Sequence, residues 1–332
     1  MKNLRQKIIA YTIIGTLFIV PLLTACSQQE TSSHAVLSAD QMSLTAEEIT
    51  IQDEEVPLAN QPEQLQILLP TASGEKTFDG KNVTVDASNV SQGYVMVKYT
   101  GTNSKIKVQV LKSSGTTYTY NLNARSTYEV FPLSEGNGSY TVKLFENISA
   151  SKYSQVFSQS FQVKLENQFL PFLYPNQYVN FTAESATIAK GLELTNGITD
   201  DLKKVETIYN YVVDTFTYDK AKANTVQSGY LPNLDRVLTS KKGICFDYAS
   251  VMAAMLRSQN IPAKLVVGYT GDVYHAWINV YTKETGWVDG MIFFDGSKWQ
   301  MMDPTFASSG KKSESIMKYI GNGSNYKAKY TY

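Results

Sequence analysis

The sequence predicts an α+β protein: a β-rich region over residues 66–166, then a half over residues 167–332 that mixes helices with strands. Two observations carry this. Apolar residues recur at every second position through the first region, then change to helical spacing just after residue 200. Tyrosine is frequent, at 22 of 332 residues, and its ring suits strands and half-wet surfaces. The length suggests two domains, and 43% hydrophobic with 18% charged residues is enough for a sizeable core. The formal charge is zero, so no basic field draws in nucleic acid, and no zinc-finger or RNA-binding signature is present. Two cysteines (Cys26 and Cys245) and two histidines (His34 and His275) are too few for a structural zinc site, and there is no EF-hand run of carboxylates. No metal or other cofactor is expected.

Residues 1–25 are expected to be a signal peptide. Lys2, Arg5 and Lys7 form a positive start, and residues 8–23 form an apolar run too short for a comfortable bilayer span of about 20 residues. Leu23-Thr24-Ala25-Cys26 then resembles the bacterial lipobox, whose cysteine becomes the lipidated first residue. Several acyl chains at Cys26 would anchor the protein to the membrane where one chain would not. Lipidation would leave Cys245 as the single thiol of the mature chain. Removing residues 1–25 takes away three positive charges, leaving about −3. Residues 26–65 are expected to be a disordered tether. After Cys26 they hold eight Asp/Glu and no Lys or Arg, and His34 there is inert.

Over 66–166 the rows Ile106, Val108, Val110; Tyr118, Tyr120, Leu122; Tyr140, Val142, Leu144; and Phe161, Val163, Leu165 each alternate with polar residues. Short alternating runs separated by Gly/Asn/Ser turns, such as Glu135-Gly136-Asn137-Gly138, predict an antiparallel β-sandwich. It carries no visible catalytic group and reads as a spacer or substrate-presenting module.

In the second half, Thr199 is the expected N-cap of a helix, with Leu202, Val205, Tyr209, Val212 and Phe216 at helical spacing. A second helix is expected over Ile244–Gln259, with Ala249, Met252, Ala253 and Leu256 as its buried stripe. Cys245 falls in its first turn, where free N–H groups and the positive end of the dipole favour a thiolate and can hold an oxyanion. Lys241 and Lys242 add to that field, and Asp247 opposes it if aimed at the sulfur. A cysteine on an apolar helix face is, taken alone, equally a packing residue.

Strands are expected at Lys264–Tyr269 and His275–Tyr281, the latter with His275, Trp277, Asn279 and Tyr281 on one face. A later strand carries Trp299, Met301 and Asp303. If it neighbours the histidine strand, Asp303 meets His275, and a helix laid over that face presents Cys245 to the imidazole. Asp272, Asp289 and Asp295 compete for the carboxylate role. Trp277, Trp287 and Tyr281 are candidates for lining a substrate slot, core packing being the commoner use of at least two of them.

Gly243-Ile-Cys245-Phe-Asp247-Tyr-Ala249, His275-Ala-Trp277 and Asp303-Pro-Thr resemble, in order, the three motifs of the bacterial transglutaminase-like superfamily. Phe216-Thr-Tyr218-Asp219 is similar to the segment that opens its core. The resemblance covers about residues 175–310. It implies a papain-like core over 167–332 with Cys245 as nucleophile, His275 as base and Asp303 as orienting carboxylate. It also implies a second oxyanion donor upstream of the cysteine, for which Tyr218 is a weak candidate. The expected function is acyl transfer or hydrolysis on protein or peptide amides at the cell surface, through a Cys245 thioester. The alternative is a non-catalytic envelope binding or assembly module on the same fold.

Overall fold

A computed structural model describes residues 67–113, 115–283, 285–288, 292–294, 299–301 and 326–332. The expected leader, its lipobox cysteine Cys26 and the acidic tether up to residue 65 lie outside the described residues.

The first region forms two four-stranded antiparallel sheets. One, in the order β1-β2-β3-β6, contains β1 (Thr77–Asp79), β2 (Val83–Asp86), β3 (Tyr94–Tyr99) and β6 (Tyr128–Pro132). The other, in the order β5-β4-β7-β8, contains β4 (Ile106–Lys112), β5 (Thr117–Asn121), β7 (Gly138–Ser149) and β8 (Lys152–Val163). Each alternating row named above turns its apolar members inward: Ile106, Val108, Val110, Tyr120, Val142 and Leu144 are all at most 2% exposed. Side chains bridge the sheets: the Tyr120 and Phe131 rings meet at 5.0 Å, and the Tyr99 hydroxyl donates to Glu146 at 2.7 Å.

The second half begins with α1 (Ala186–Leu194), α2 (Asp201–Thr215), β9 (Thr217–Tyr218), α3 (Lys220–Thr225) and α4 (Leu234–Ser240). It continues with β10 (Lys242–Gly243), α5 (Cys245–Arg257), β11 (Ala263–Thr270), β12 (Val273–Thr282) and β13 (Gly286–Val288). The last strands are β14 (Ile292–Phe294), β15 (Trp299–Met301) and β16 (Tyr326–Thr331). An antiparallel sheet runs β13-β12-β11-β16. The α2 cap is Asp200 rather than Thr199: its carboxylate accepts from Lys203 N at 2.7 Å, a bond that a residue one position earlier cannot reach.

Helix α5 is the hub. The expected stripe of four residues understates its burial, because every residue from Asp247 to Arg257 is buried. Helices α1, α2 and α4 and strands β11 and β12 all pack against it, so no side is left for water. Gly191 lets α1 approach closely; a Cβ there would stand 3.1 Å from the Met255 side chain. At the other end, Arg257 is wholly buried, with no Asp or Glu in ion-pair distance among the described residues. Its guanidinium donates instead to Ala263 O (3.0 and 2.8 Å), Tyr174 O (2.7 Å) and Tyr332 O (2.8 Å). Burial pulls this guanidinium down to about 9, which leaves it charged at neutral pH, and the carbonyl dipoles answer the charge. One arginine thus ties α5 to β11, to the end of β16 and to the segment that enters the second half.

The two parts share one apolar core. Tyr332 stacks edge-on against Tyr118 and Tyr120 of the first region, at 5.6 and 5.8 Å, and lies 4.5 Å from Tyr178.

Candidate active site

Cys245 is the first residue of α5, as the spacing predicts, and Ile244 before it is extended (φ −100°, ψ 176°). The turn that sets it there is built from Gly243 and Asp247. Asp247 reaches back to accept from Ile244 N at 2.8 Å, and its own Cβ occupies the place of a side chain at residue 243, only 2.7 Å from a Cβ built there. The parallel pairing of β9 with β10 fixes Gly243 beside Tyr218.

The carboxylate of Asp247 is fully buried and fully engaged. Besides Ile244 N, it accepts from the Tyr230 hydroxyl at 2.6 Å and from Lys222 Nζ at 2.5 Å, while Lys222 also reaches the Tyr230 oxygen at 2.6 Å. Its charge is therefore spent on Lys222 and the turn, which answers the question of whether it opposes a thiolate. Burial first, then the bond to Asp247, raises the Tyr230 phenol well above its ordinary range. Lys242 is turned to Asp219 (3.7 Å), and neither it nor Lys241 reaches the cysteine's surroundings.

Cys245 is a free thiol, partly exposed, on the wall of a cavity of about 310 Å³. His275, 4% exposed, lines the same cavity. The route by which it arrives differs from the expected one. The face of β12 that joins the core of α5 is Ala276, Ile278 and Val280, not the row of His275 and Trp277. The compact apolar row packs against the apolar middle of the helix without loss, whereas imidazole and indole nitrogens need partners there. Trp277 stacks with His275 at 6.4 Å and meets Tyr326 of β16 at 5.3 Å.

Asp303 lies outside the described residues, as do Asp289 and Asp295. Asp272 is exposed in the turn before β12 and does not line the cavity. The strand leading towards Asp303 does not neighbour β12 where it is described. Strand β15 pairs with β14 in a two-stranded sheet, and the edge of β12 is taken by β13 through a short hairpin.

None of Trp277, Trp287 and Tyr281 lines the cavity. Trp287 packs with Phe172, Phe169 and Tyr281 under Lys264. Tyrosines take the lining role instead: Tyr178, Tyr230, Tyr274, Tyr330 and Tyr332. Tyr218 is not among them. The Tyr274 hydroxyl has no hydrogen-bond partner among the described residues; burial, then Tyr330, Tyr269 and Cys245 nearby, raises its phenol and keeps it protonated. Part of the wall comes from the first region, through Lys107 of β4 and Thr119 and Asn121 of β5.

The family model of the transglutaminase-like superfamily matches residues 188–304, a span that contains Cys245, His275 and Asp303. That match covers about a third of the chain and makes residues 188–304 a transglutaminase-like domain. Among curated proteins, it is similar to the uncharacterized protein YebA of Bacillus subtilis, 25% identical over 211 residues. It is also similar to a protein-glutamine gamma-glutamyltransferase of Pseudomonas aeruginosa, 28% identical over 94 residues. These alignments take in 56% and 24% of this chain, and they span only 28% and 12% of the two relatives. Among solved structures, the periplasmic domain of TgpA from Pseudomonas aeruginosa matches at 13% identity and a TM-score of 0.33, covering 73% of this chain and 99% of that one. Red sea bream transglutaminase matches at 10% identity and a TM-score of 0.28, covering 69% and 53%. In this chain the transglutaminase-like segment begins within α1 and takes in the whole of α5 and β12.

Proposed function

We infer that the protein is a cysteine acyltransferase or amidohydrolase acting on protein or peptide amides outside the cytoplasmic membrane. The observation that carries this reading is the meeting of Cys245, at the start of α5, and His275 on the walls of one cavity. Cys245 attacks the amide carbonyl. His275 takes the thiol proton and delivers it to the leaving amine, and Asp303 holds the imidazole tautomer. The tetrahedral oxyanion is met by the N–H groups at the start of α5 and by the Tyr274 hydroxyl, which is protonated and donates to no acceptor among the described residues. Tyr230 does not serve, because its proton is committed to Asp247. The thioester then passes its acyl group to an amine or to water.

Residues 66–166 are read as a β-sandwich domain that supplies one wall of the site. Residues 26–65 are the tether and Cys26 the lipid-bearing anchor. Among the described residues, no helix is long and apolar enough to cross a membrane.

The test follows dansyl-cadaverine incorporation into a glutamine-rich protein alongside peptide cleavage, for wild type, Cys245→Ala and His275→Ala. Either product is expected from wild type, with a loss on the order of 10³-fold or more in both variants. Product formation unchanged by Cys245→Ala removes the thioester route.

A further inference from the structure

The part of the cavity wall that the first region supplies carries a charge that the chemistry described above leaves unused. Lys107 and Asn121 are directly paired across β4 and β5, on the outward, polar row of that sheet. Lysines on such rows ordinarily extend into water. This one is half-buried and lines the cavity. Its ammonium donates to Asn121 Oδ1 and lies 5.9 Å from the centre of the Tyr153 ring. An ammonium has three hydrogens to give. Among the described residues, no carboxylate comes within ion-pair distance of Lys107, and no Asp or Glu lines the cavity. Desolvation disfavours the charged amine here and lowers its pKa. A cation held at such a place, with hydrogens to spare, is matched by an anion that arrives from outside.

We propose that Lys107 is a specificity-determining residue that binds a substrate carboxylate, so that the preferred substrates are peptides bearing a free carboxylate close to the reactive amide. This rests on the reading of Cys245 and His275 as the reacting pair. Beside Lys107 the first region and its neighbour loop present only the neutral Thr119, Asn121 and Ser228 to the cavity, and among the described residues no Asp or Glu lines it. The carboxylate comes either from a chain terminus or from an acidic side chain beside the reactive amide. A charge-assisted bond of this kind is worth about tenfold in binding.

The test measures binding rather than turnover, by calorimetric titration of the full chain carrying Cys245→Ala. Four peptides of one sequence are compared: C-terminal carboxylate or carboxamide, and Glu or Gln beside the reactive glutamine. At least one carboxylate form is expected to bind about tenfold more tightly than its neutral twin, and the arm that shows this identifies the source. Adding Lys107→Gln, which keeps a donor for Asn121, should erase the difference without weakening the neutral peptides. Lys107→Arg should keep most of it. Equal binding of carboxylate and neutral peptides, a preference that survives Lys107→Gln, or no binding of any peptide at millimolar concentration overturns the proposal. Because Cys245 is absent in these measurements, a carboxylate preference found here stands even if wild type proves to have no turnover, and then only the catalytic reading falls.

Discussion

Cys245 and His275 were legible because the chain is poor in both residue types, so a cysteine before a helix and a histidine opening a strand stand out. Asp247 was visible but its sign was not, since a carboxylate at the third helical position can face the sulfur or fold back onto the turn. It folds back, and Lys222, Tyr230 and Ile244 N share it. Asp247→Ala leaves Lys222 and the turn without their partner and should cost about 3 kcal/mol in urea denaturation; Asp247→Asn keeps an acceptor for Ile244 N and should cost visibly less. An equal loss in both would place the value of the residue in its charge alone. Tyr274 was not singled out at all, because a strand tyrosine in so tyrosine-rich a chain carries no local signal. Tyr274→Phe should lower kcat by a factor on the order of 10² with KM little changed, as expected for a donor that acts on the oxyanion. A loss confined to KM would make it a binding residue. Arg257 was equally silent: at the end of a helix it reads as a solvated charge, and only the fold shows it buried on three carbonyl groups. Arg257→Met should cost about 3–5 kcal/mol by denaturant unfolding, since those carbonyls lose their donor.

The alternating runs of the first region declared their strands clearly, as did the helical spacing of α2 and α5. The misses follow from how neighbours are chosen. Periodicity shows which residues share a face but not which face meets which element. The row of His275 mixes Trp277 and Tyr281 with polar residues and the row of Ala276 is apolar, but alternation alone does not say which of them meets α5. Helix α1 was overlooked because its buried residues, Thr187, Ile188 and Gly191, form a sparse stripe with a glycine in it. Strand β16 was overlooked because Tyr326–Thr331 alternates with lysines and looks like a polar tail. Its seat depends on Gly268, directly across from His275 on β11: a Cβ there would come 2.1 Å from Lys327 O and 2.9 Å from Trp277. Gly268→Ala should therefore push β16 off its partner. The expected result is a loss of at least 1–3 kcal/mol in stability with faster amide exchange across Tyr326–Thr331. Unchanged exchange in that strand would mean that the backbone yields elsewhere.

The change of hydrophobic period divides the chain into residues 66–166 and 167–332, and one buried cluster runs across that division from Val83 to Tyr332. Residues 167–332 expressed alone would expose Tyr178 and Tyr332, which lie against Tyr118 and Tyr120. That fragment should bind a hydrophobic dye and melt broadly, whereas the chain from residue 66 onward should unfold in one sharp transition. A sharp, dye-silent melt of the fragment would show that the first region is dispensable for folding. At the other extreme of the chain, Cys26→Ser should release the protein from membranes into the soluble fraction, and retention there would make the apolar run of residues 8–23 the anchor. The cavity itself draws on Lys107, Cys245 and Tyr330, positions spread across most of the sequence. A growing chain presents the cysteine long before Tyr330 and Tyr332 exist to close the floor around it, and closing so long a loop is slow compared with forming α5. If Cys245 is the nucleophile proposed above, the thiol is thus armed by the completion of folding: an unfinished or misfolded copy would carry it without the walls that select what it attacks.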